Sequence, residues 1–247
     1  MPGSDQSRRP RRTSTRMFRI LPLGDSAITI EFGNEIDPRI NAHAVGCAQA
    51  LVDQGWSGII DVVPTYRSIT VHFDPLQWDS AALVKRLKAL PRPTPGKAEQ
   101  QSTLHEIPVL YGGEWAPDLN DVAAFADLSP EQTVTLHAST RYRVYMLGFS
   151  PGFPYLGLLP TRLAIPRLST PRTKVPAGSV GIADRQTGIY PTVTPGGWRL
   201  IGRTPTPLYR GTNPTPFLLK PGDLVQFRPI DREEFDRLSH EAPDEDH

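Results

Sequence analysis

The sequence predicts an α+β protein of two domains, a small N-terminal α+β unit followed by a mainly-β domain, and three observations carry that expectation. Residues 18–90 alternate strand-like and helix-like patterns. Residues 91–102 are rich in proline and have no hydrophobic period. From Tyr142 onward, short apolar runs recur between Pro and Gly turns.

In chain order, residues 1–17 form a basic leader with arginine pairs but no apolar run behind them, so neither a secretory nor a twin-arginine signal fits and a disordered tail is expected. FRILPLGDSAITIEFG then opens the first domain, residues 18–90. Ile28, Ile30 and Phe32 alternate with Thr29 and Glu31, the period of a half-buried strand. Asp37-Pro38 supplies an N-cap and an N1 proline for a helix to Gln54, in which Ile40, Ala44, Cys47, Ala48 and Leu51 fall at helical spacing. Cys47 is expected to be a small buried hydrophobe with no His or Cys near it in sequence. GIIDVVPTYRSITVHFD repeats the strand alternation at Ile69, Val71 and Phe73, and Ser80 to Leu90 reads as a second helix.

PRPTPGKAEQQS, residues 91–102, has the composition of a linker and places the second domain at residues 103–235. There HEIPVLYGG reads as a strand, Pro117 to Ala126 as a helix, and Ser129-Pro130-Glu131-Gln132 as the capping box of another. YRVYMLGF, VGIA, IYPTV, WRLIG, FLLK and LVQF follow at spacings of about 8 to 12 residues, the pattern of a small β-barrel or sandwich. Residues 236–247 are set apart as an acidic tail.

The formal net charge of +1 conceals a segmental imbalance. Between Gly148 and Gly222 lie nine Lys or Arg and a single acid, Asp184. A solvated surface mixes both signs, so a one-sided block on a Gly/Pro frame points to a face built to meet an anion. One cysteine in 247 residues excludes an intramolecular disulfide framework and fits a reducing compartment, with the cytoplasm as the expected location. No apolar run reaches the roughly 18 residues of a bilayer span, so no membrane association is expected. The basic leader reads as a solvated extension rather than a nucleic-acid arm.

Gly148-Phe149-Ser150-Pro151-Gly152 matches the G-x-S-x-G of serine hydrolases, yet the nucleophile-elbow reading fails. The residue after that serine must lend a backbone N–H to the oxyanion hole, and Pro151 has none. The segment is expected instead to be a turn presenting Phe149, Phe153 and Tyr155 to a groove or a subunit interface. The sequence has no G-x-x-x-x-G-K-[ST] and no G-x-G-x-x-G after a strand, so a nucleotide would be held differently or by a partner chain. Its histidines show no H-E-x-x-H or H-x₃-H spacing, and no metal site is expected.

Arg167, Arg172, Lys174 and Arg203 lie in the turn-rich contexts IPR, TPR, TKVPAG and GRTP. Arginine's planar fork suits carboxylate or phosphate, and Gln186, Tyr190 and Trp198 bring hydrogen bonds and stacking faces to the same block. These residues are expected to converge on one anion or substrate site. Arg203 and His137 are assigned the catalytic positions, although a histidine simply satisfied by hydrogen bonds at a helix end is the competing reading of His137.

The series YRVYMLGFSPGFPYLGLLP, PRLSTPRTKVPAGSVGIADRQTGIYP and TPGGWRLIGRTP resembles the signature of the 5-oxoprolinase B-subunit family. That family is also called allophanate hydrolase subunit 1 or carboxyltransferase domain, subdomain C and D, and it includes a sporulation kinase inhibitor. The resemblance runs from about Phe18 to Phe235 and is dense from Ile107 to Thr204. It implies a cyclophilin-like β-barrel as the second domain. It also implies one component of an ATP-dependent lactam hydrolase that opens 5-oxoproline to glutamate, active only with a homologous barrel partner (the C subunit of 5-oxoprolinase) and a third partner (its A subunit). On this resemblance ATP is the cofactor, bound together with partner subunits. The family also holds transferase modules of urea metabolism and a regulatory binder of a histidine kinase, so fold alone does not select the function.

Overall fold

A computed structural model describes residues 18–90, 102–211 and 213–241. The leader 1–17, linker residues 91–101 and the tail from 242 onward lie outside the described residues.

The first domain is a four-stranded antiparallel sheet with two helices. Strands β1 (Arg19–Pro22), β2 (Ala27–Glu31), β3 (Ile59–Pro64) and β4 (Ser68–Phe73) lie in the order β1-β2-β4-β3. Ile28 and Ile30 of β2 and Ile69, Val71 and Phe73 of β4 point into the core, as their alternation predicts. Helix α1 (Pro38–Val52) starts where expected: Asp37 accepts from the N–H of Arg39 and Ile40, with Pro38 at the first helical position. Helix α2 (Ser80–Ala89) adds Leu83 and Leu87 to the core.

The expected face of α1 needs two corrections. Ala44, Ala48 and Leu51 are buried, but Cys47 is only half-buried and its Sγ lies 3.7 Å from Nε2 of His43, one turn earlier. The i, i+4 spacing of a helix brings this pair together, so the expectation of no nearby histidine does not hold. The fully buried polar residue on α1 is Asn41, 0% exposed, which the apolar pattern does not register.

The second domain is a closed barrel. Its strands are β5 (Leu104–Tyr111), β6 (Arg141–Leu147), β7 (Pro154–Gly157), β9 (Ser179–Ala183), β10 (Gln186–Ile189), β12 (Arg199–Arg203) and β13 (Leu224–Ile230). They close in the order β10-β7-β6-β13-β5-β12-β9, resolving the choice between barrel and sandwich. Among these strands β5 and β13 pair in parallel, and the other pairs are antiparallel. Val180 and Ile182, Ile189, Ile201, Val225 and Phe227 point inward, and closure removes the exposed sheet edges of an open sheet. A separate ribbon, β8 (Arg172–Val175) with β11 (Thr194–Gly196), lies outside the barrel.

Helices α3 (Leu119–Ala126) and α4 (Pro130–Ala138) follow β5, and their apolar side chains join the barrel core. The Ser129/Gln132 capping box is formed on both sides. Helix α3 begins two residues later than the sequence predicts, because the Asp118 carboxylate is drawn away to β12 and accepts from Leu200 N–H at 2.6 Å. FLLK forms no strand; Phe217 contributes a single bridge to Tyr209. The strand expected in IYPTV ends at Ile189, before Pro191. Helix α5 (Arg232–Glu241) runs through the expected boundary at Phe235. Phe235 is buried, and the Arg232–Asp236 and Arg237–Glu241 pairs are i, i+4 partners along it.

Asn41 joins the two domains. Its Nδ2 donates to Thr65 O at 3.0 Å in its own domain and to Tyr145 O at 2.9 Å on β6, and its Oδ1 accepts from Arg143 Nε at 2.8 Å. Both hydrogens of the amide and one lone pair of its oxygen are used, which is what a buried amide requires. Asn41→Leu keeps the branched outline of the side chain and removes three hydrogen bonds, one of them to a guanidinium. It should lower unfolding stability by about 3 to 5 kcal/mol in urea titrations, and a loss under about 1 kcal/mol would show the seam to be held elsewhere.

Candidate functional site

The Gly148–Gly152 segment is a tight turn, closed by Gly148 N–H to Phe153 O at 3.1 Å and Phe153 N–H to Ser150 O at 3.1 Å. Phe149 holds φ at +67°, a conformation uncommon for a side chain of its size, and its ring is 62% exposed. Phe153, four residues on, is buried. The Ser150 hydroxyl is buried and has no hydrogen-bond partner among the described residues, so no base there activates it. That geometry agrees with the rejection of a serine nucleophile.

Behind the turn lies a wall of rings on the outer surface of the barrel. Phe153 meets Tyr155, Tyr190 and Trp198 at centroid distances of 5.0, 5.2 and 5.4 Å, and Phe149 at 5.5 Å. The series continues across the domain seam, where Tyr66 of the first domain stands 5.9 Å from Tyr155 and 5.6 Å from Tyr145. The rings press close to the barrel because the strand beneath carries glycine. A Cβ on Gly188 would sit 3.0 Å from both Phe153 and Trp198 and 2.8 Å from Pro154 O. Phe149, Phe153 and Tyr155 are thus brought into ring contact, but the turn does not present all three. Of the three, Phe149 is exposed and Tyr155 half-buried, while Phe153 is floor.

The polar groups at this wall are Gln186, which donates to Tyr66 Oη, and the tyrosine hydroxyls. Burial pushes Tyr66 up to about 12 and also raises Tyr145, Tyr155 and Tyr190, so all four are neutral at pH 7. Arg167 opposes the shift at both Tyr155 and Tyr190, so its charge is felt at this end of the wall.

The expected cationic cluster is only partly formed. Arg167 is exposed, with no hydrogen bond or ion pair of its guanidinium among the described residues. Lys174 is exposed on β8. Arg172 is committed internally: its Nη2 pairs with Asp118 at 2.8 Å and its Nη1 reaches Trp198 O at 3.4 Å. It fastens the outer ribbon to the barrel, its charge already met by Asp118, a correction to its assignment as an anion binder. Arg203 belongs elsewhere, with its Nε on Ala177 O and its guanidinium stacked on Trp115. Tyr190 and Trp198 are buried stacking partners rather than contact groups.

His137 is not a catalytic base. It is 0% exposed inside the barrel, stacked on Phe227 at 4.6 Å. Thr187 Oγ1 donates to Gly181 O, so it accepts from His137 Nε2, and Nδ1 then accepts from Tyr111 Oη at 2.8 Å. Both ring nitrogens are satisfied, the competing reading of this residue. Tyr66, Tyr145 and Asn41 are the residues that sequence reasoning missed. Tyr66 sits in the β3–β4 turn, some eighty residues before the ring it faces, and nothing local marks it.

Burial lowers His137 to about 3 from an ordinary value of 6.5. The unfolded chain therefore binds a proton below pH 6.5 that the folded chain refuses, and stability falls as pH drops from 6.5 toward 3. Between pH 7 and pH 4.5 this residue should cost about 2 to 3 kcal/mol. His137→Gln should reduce the acid loss by that amount in urea titrations at the two pH values, and an unchanged acid loss would contradict the assignment.

Comparison with known proteins places these residues in a wider set. A model of the carboxyltransferase domain, subdomain C and D, family matches residues 18–219. The 5-oxoprolinase B subunit of Bacillus subtilis (strain 168) is 40% identical over 242 residues, covering 92% of this chain and 99% of that protein. The protein of the same name from Escherichia coli O157:H7 is 42% identical, covering 84% of this chain and 94% of that one. Among solved structures, TTHA0988 superposes with a TM-score of 0.75 at 38% identity, covering 87% of this chain but 40% of that one. This chain thus spans about two fifths of the TTHA0988 chain.

Proposed function

The protein belongs to the carboxyltransferase domain, subdomain C and D, family, and we propose that it is the B subunit of an ATP-dependent 5-oxoprolinase that hydrolyses 5-oxoproline to glutamate. The observation that carries this reading is identity of 40–42% to proteins named as 5-oxoprolinase B subunits, along nearly their whole length. In this reading it acts in the cytoplasm with the homologous barrel partner, the C subunit, and with the A subunit as third component. ATP, when bound, would supply the phosphoryl group that activates the lactam oxygen, leaving ADP, and water would then open the ring with release of phosphate.

The chain's own part in that chemistry is binding and orientation. Arg167, unpaired among the described residues, is a cation at the edge of a low-dielectric aromatic wall, suited to the substrate carboxylate or to charge developing on a transferring phosphoryl group. Gln186 and Tyr66 offer an amide and a neutral hydroxyl to a lactam, while Phe149 and Tyr155 cover the ring's apolar face. Arg172, held by Asp118, fixes the ribbon that backs Tyr190 and Trp198. Among the described residues the wall has no activated nucleophile, which is consistent with an active site completed by partner subunits.

Co-expression with the A and C subunits, followed by assay of ATP-dependent glutamate release from 5-oxoproline, tests the reading. Omission of this chain should abolish release. Arg167→Ala should lower turnover by about 30- to 1000-fold with the complex still assembled. Full activity without this chain would refute the proposal. The family's description as a carboxyltransferase domain favours one second reading, a carboxyl-transfer component, which transfer from a biotinylated carrier in place of lactam opening would reveal.

A further inference from the structure

Arg203, set apart from the aromatic wall, has surroundings that suggest a second site. Its guanidinium lies 4.2 Å over the Trp115 ring, and its Nε donates to Ala177 O at 2.8 Å. Among the described residues its two terminal nitrogens make no hydrogen bond, and no carboxylate lies within ion-pairing distance of it. Glu114, the acid whose charge it feels, is paired with Arg232 at 3.3 Å. Burial holds Arg203 below the ordinary arginine value, so this is a partly desolvated cation with no counter-charge of its own among the described residues. The Trp115 Nε1 hydrogen beside it is buried with no acceptor among those residues.

Arg203 lines a cavity of about 340 Å³ together with Ala177, whose carbonyl its Nε holds, and with Gly178, Thr206, Leu208, Tyr209 and Ser239. The volume lies at the lower end of the range for small-molecule pockets. Gly178, at φ +80°, is pressed against the Thr204 carbonyl, so the backbone forms one wall where a side chain would not fit. Ser239 enters from α5, the helix that crosses the expected domain end. A stacked arginine whose two terminal nitrogens are free among the described residues, on a cavity that Thr206, Tyr209 and Ser239 also line, has the chemistry of an oxyanion receptor.

We propose that the Arg203 cavity is a binding site for a small oxyanion, a carboxylate or a phosphate monoester, separate from the aromatic wall. The cation comes from the barrel, its stacking partner from the 3₁₀ turn Gly113–Trp115 that follows β5, and α5 adds Phe235 and Ser239 to the lining. Trp115 reports occupancy directly, because an anion on the guanidinium alters the indole stacked against it. The site is independent of the oxoprolinase reading and stands or falls apart from it.

The test is a titration of the full chain followed through its tryptophan indole ¹H–¹⁵N signals, with Trp115 assigned by Trp115→Phe. Inorganic phosphate and acetate are the probes, each against chloride at equal ionic strength. A saturable shift of the Trp115 signal with Kd on the order of 1 to 10 mM is expected for at least one of them. Arg203→Gln, and Ser239→Phe, which adds bulk to the cavity from α5 and leaves the cation in place, should each weaken it at least tenfold. The signals of Trp56, Trp78 and Trp198 should not move. A linear shift shared with chloride, or the same Kd in Ser239→Phe, would overturn the proposal. If Arg203→Gln loses its dispersed spectrum, Ser239→Phe decides alone.

Discussion

The arrangement of the aromatic wall depends on one buried amide. Asn41, on the first helix, takes hold of the Thr65 carbonyl in its own domain and of the Tyr145 carbonyl in the barrel, and so fixes the turn that carries Tyr66 against β6. Arg143 adds a charge-assisted bond to the same side chain. An amide buried without partners costs more than its hydrogen bonds return, so the three contacts are a requirement of burial as well as a link between domains. A purely apolar seam of the same area would not specify this register, because hydrophobic contact is non-directional.

From that fixed point the wall follows by close packing. Tyr66 meets Tyr145 and Tyr155, Tyr155 meets Phe153, and Phe153 meets Tyr190 and Trp198. Glycine on β10 removes the side chain that would lift the rings from the strand. The Arg172–Asp118 pair then locks the outer ribbon over them, and Asp118 pairs with backbone as well as with charge. Removing either partner would leave a charge poorly solvated, which is how a buried pair enforces one arrangement even where its net contribution is small.

What is legible in the sequence follows the range of the interaction. The alternation at Ile28 and Ile30, the Asp37-Pro38 cap and the Ser129/Gln132 box are local signals, and the structure forms each of them. FLLK has the apolar content of a strand, but its neighbours Pro214 and Pro216 on one side and Pro221 on the other leave room for a single bridge to Tyr209. The basic block from Gly148 to Gly222 is visible as a sum of charges, whereas its division is not. Arg172 is spent on Asp118, fifty-four positions away, Arg203 rests on Trp115, and Arg167 is exposed with its charge felt at Tyr190. His137 shows chemistry by residue type, and only its burial between Tyr111 and Thr187 shows that the ring is fully engaged. The family resemblance reaches correctly across these distances because a long ordered series of residues carries tertiary information that no single pattern holds.

If Asn41 positions Tyr66 against the barrel, the most direct measurement is the set of nuclear Overhauser contacts between the ring protons of Tyr66 and those of Tyr145 and Tyr155. These are compared in the wild-type chain and in Asn41→Leu under conditions where both remain folded. Contacts within each domain, such as Ile30 to Ile69 and Phe153 to Trp198, should persist in the variant while the Tyr66 contacts across the seam disappear. Tyr66 contacts of wild-type intensity in Asn41→Leu would contradict that role for the amide.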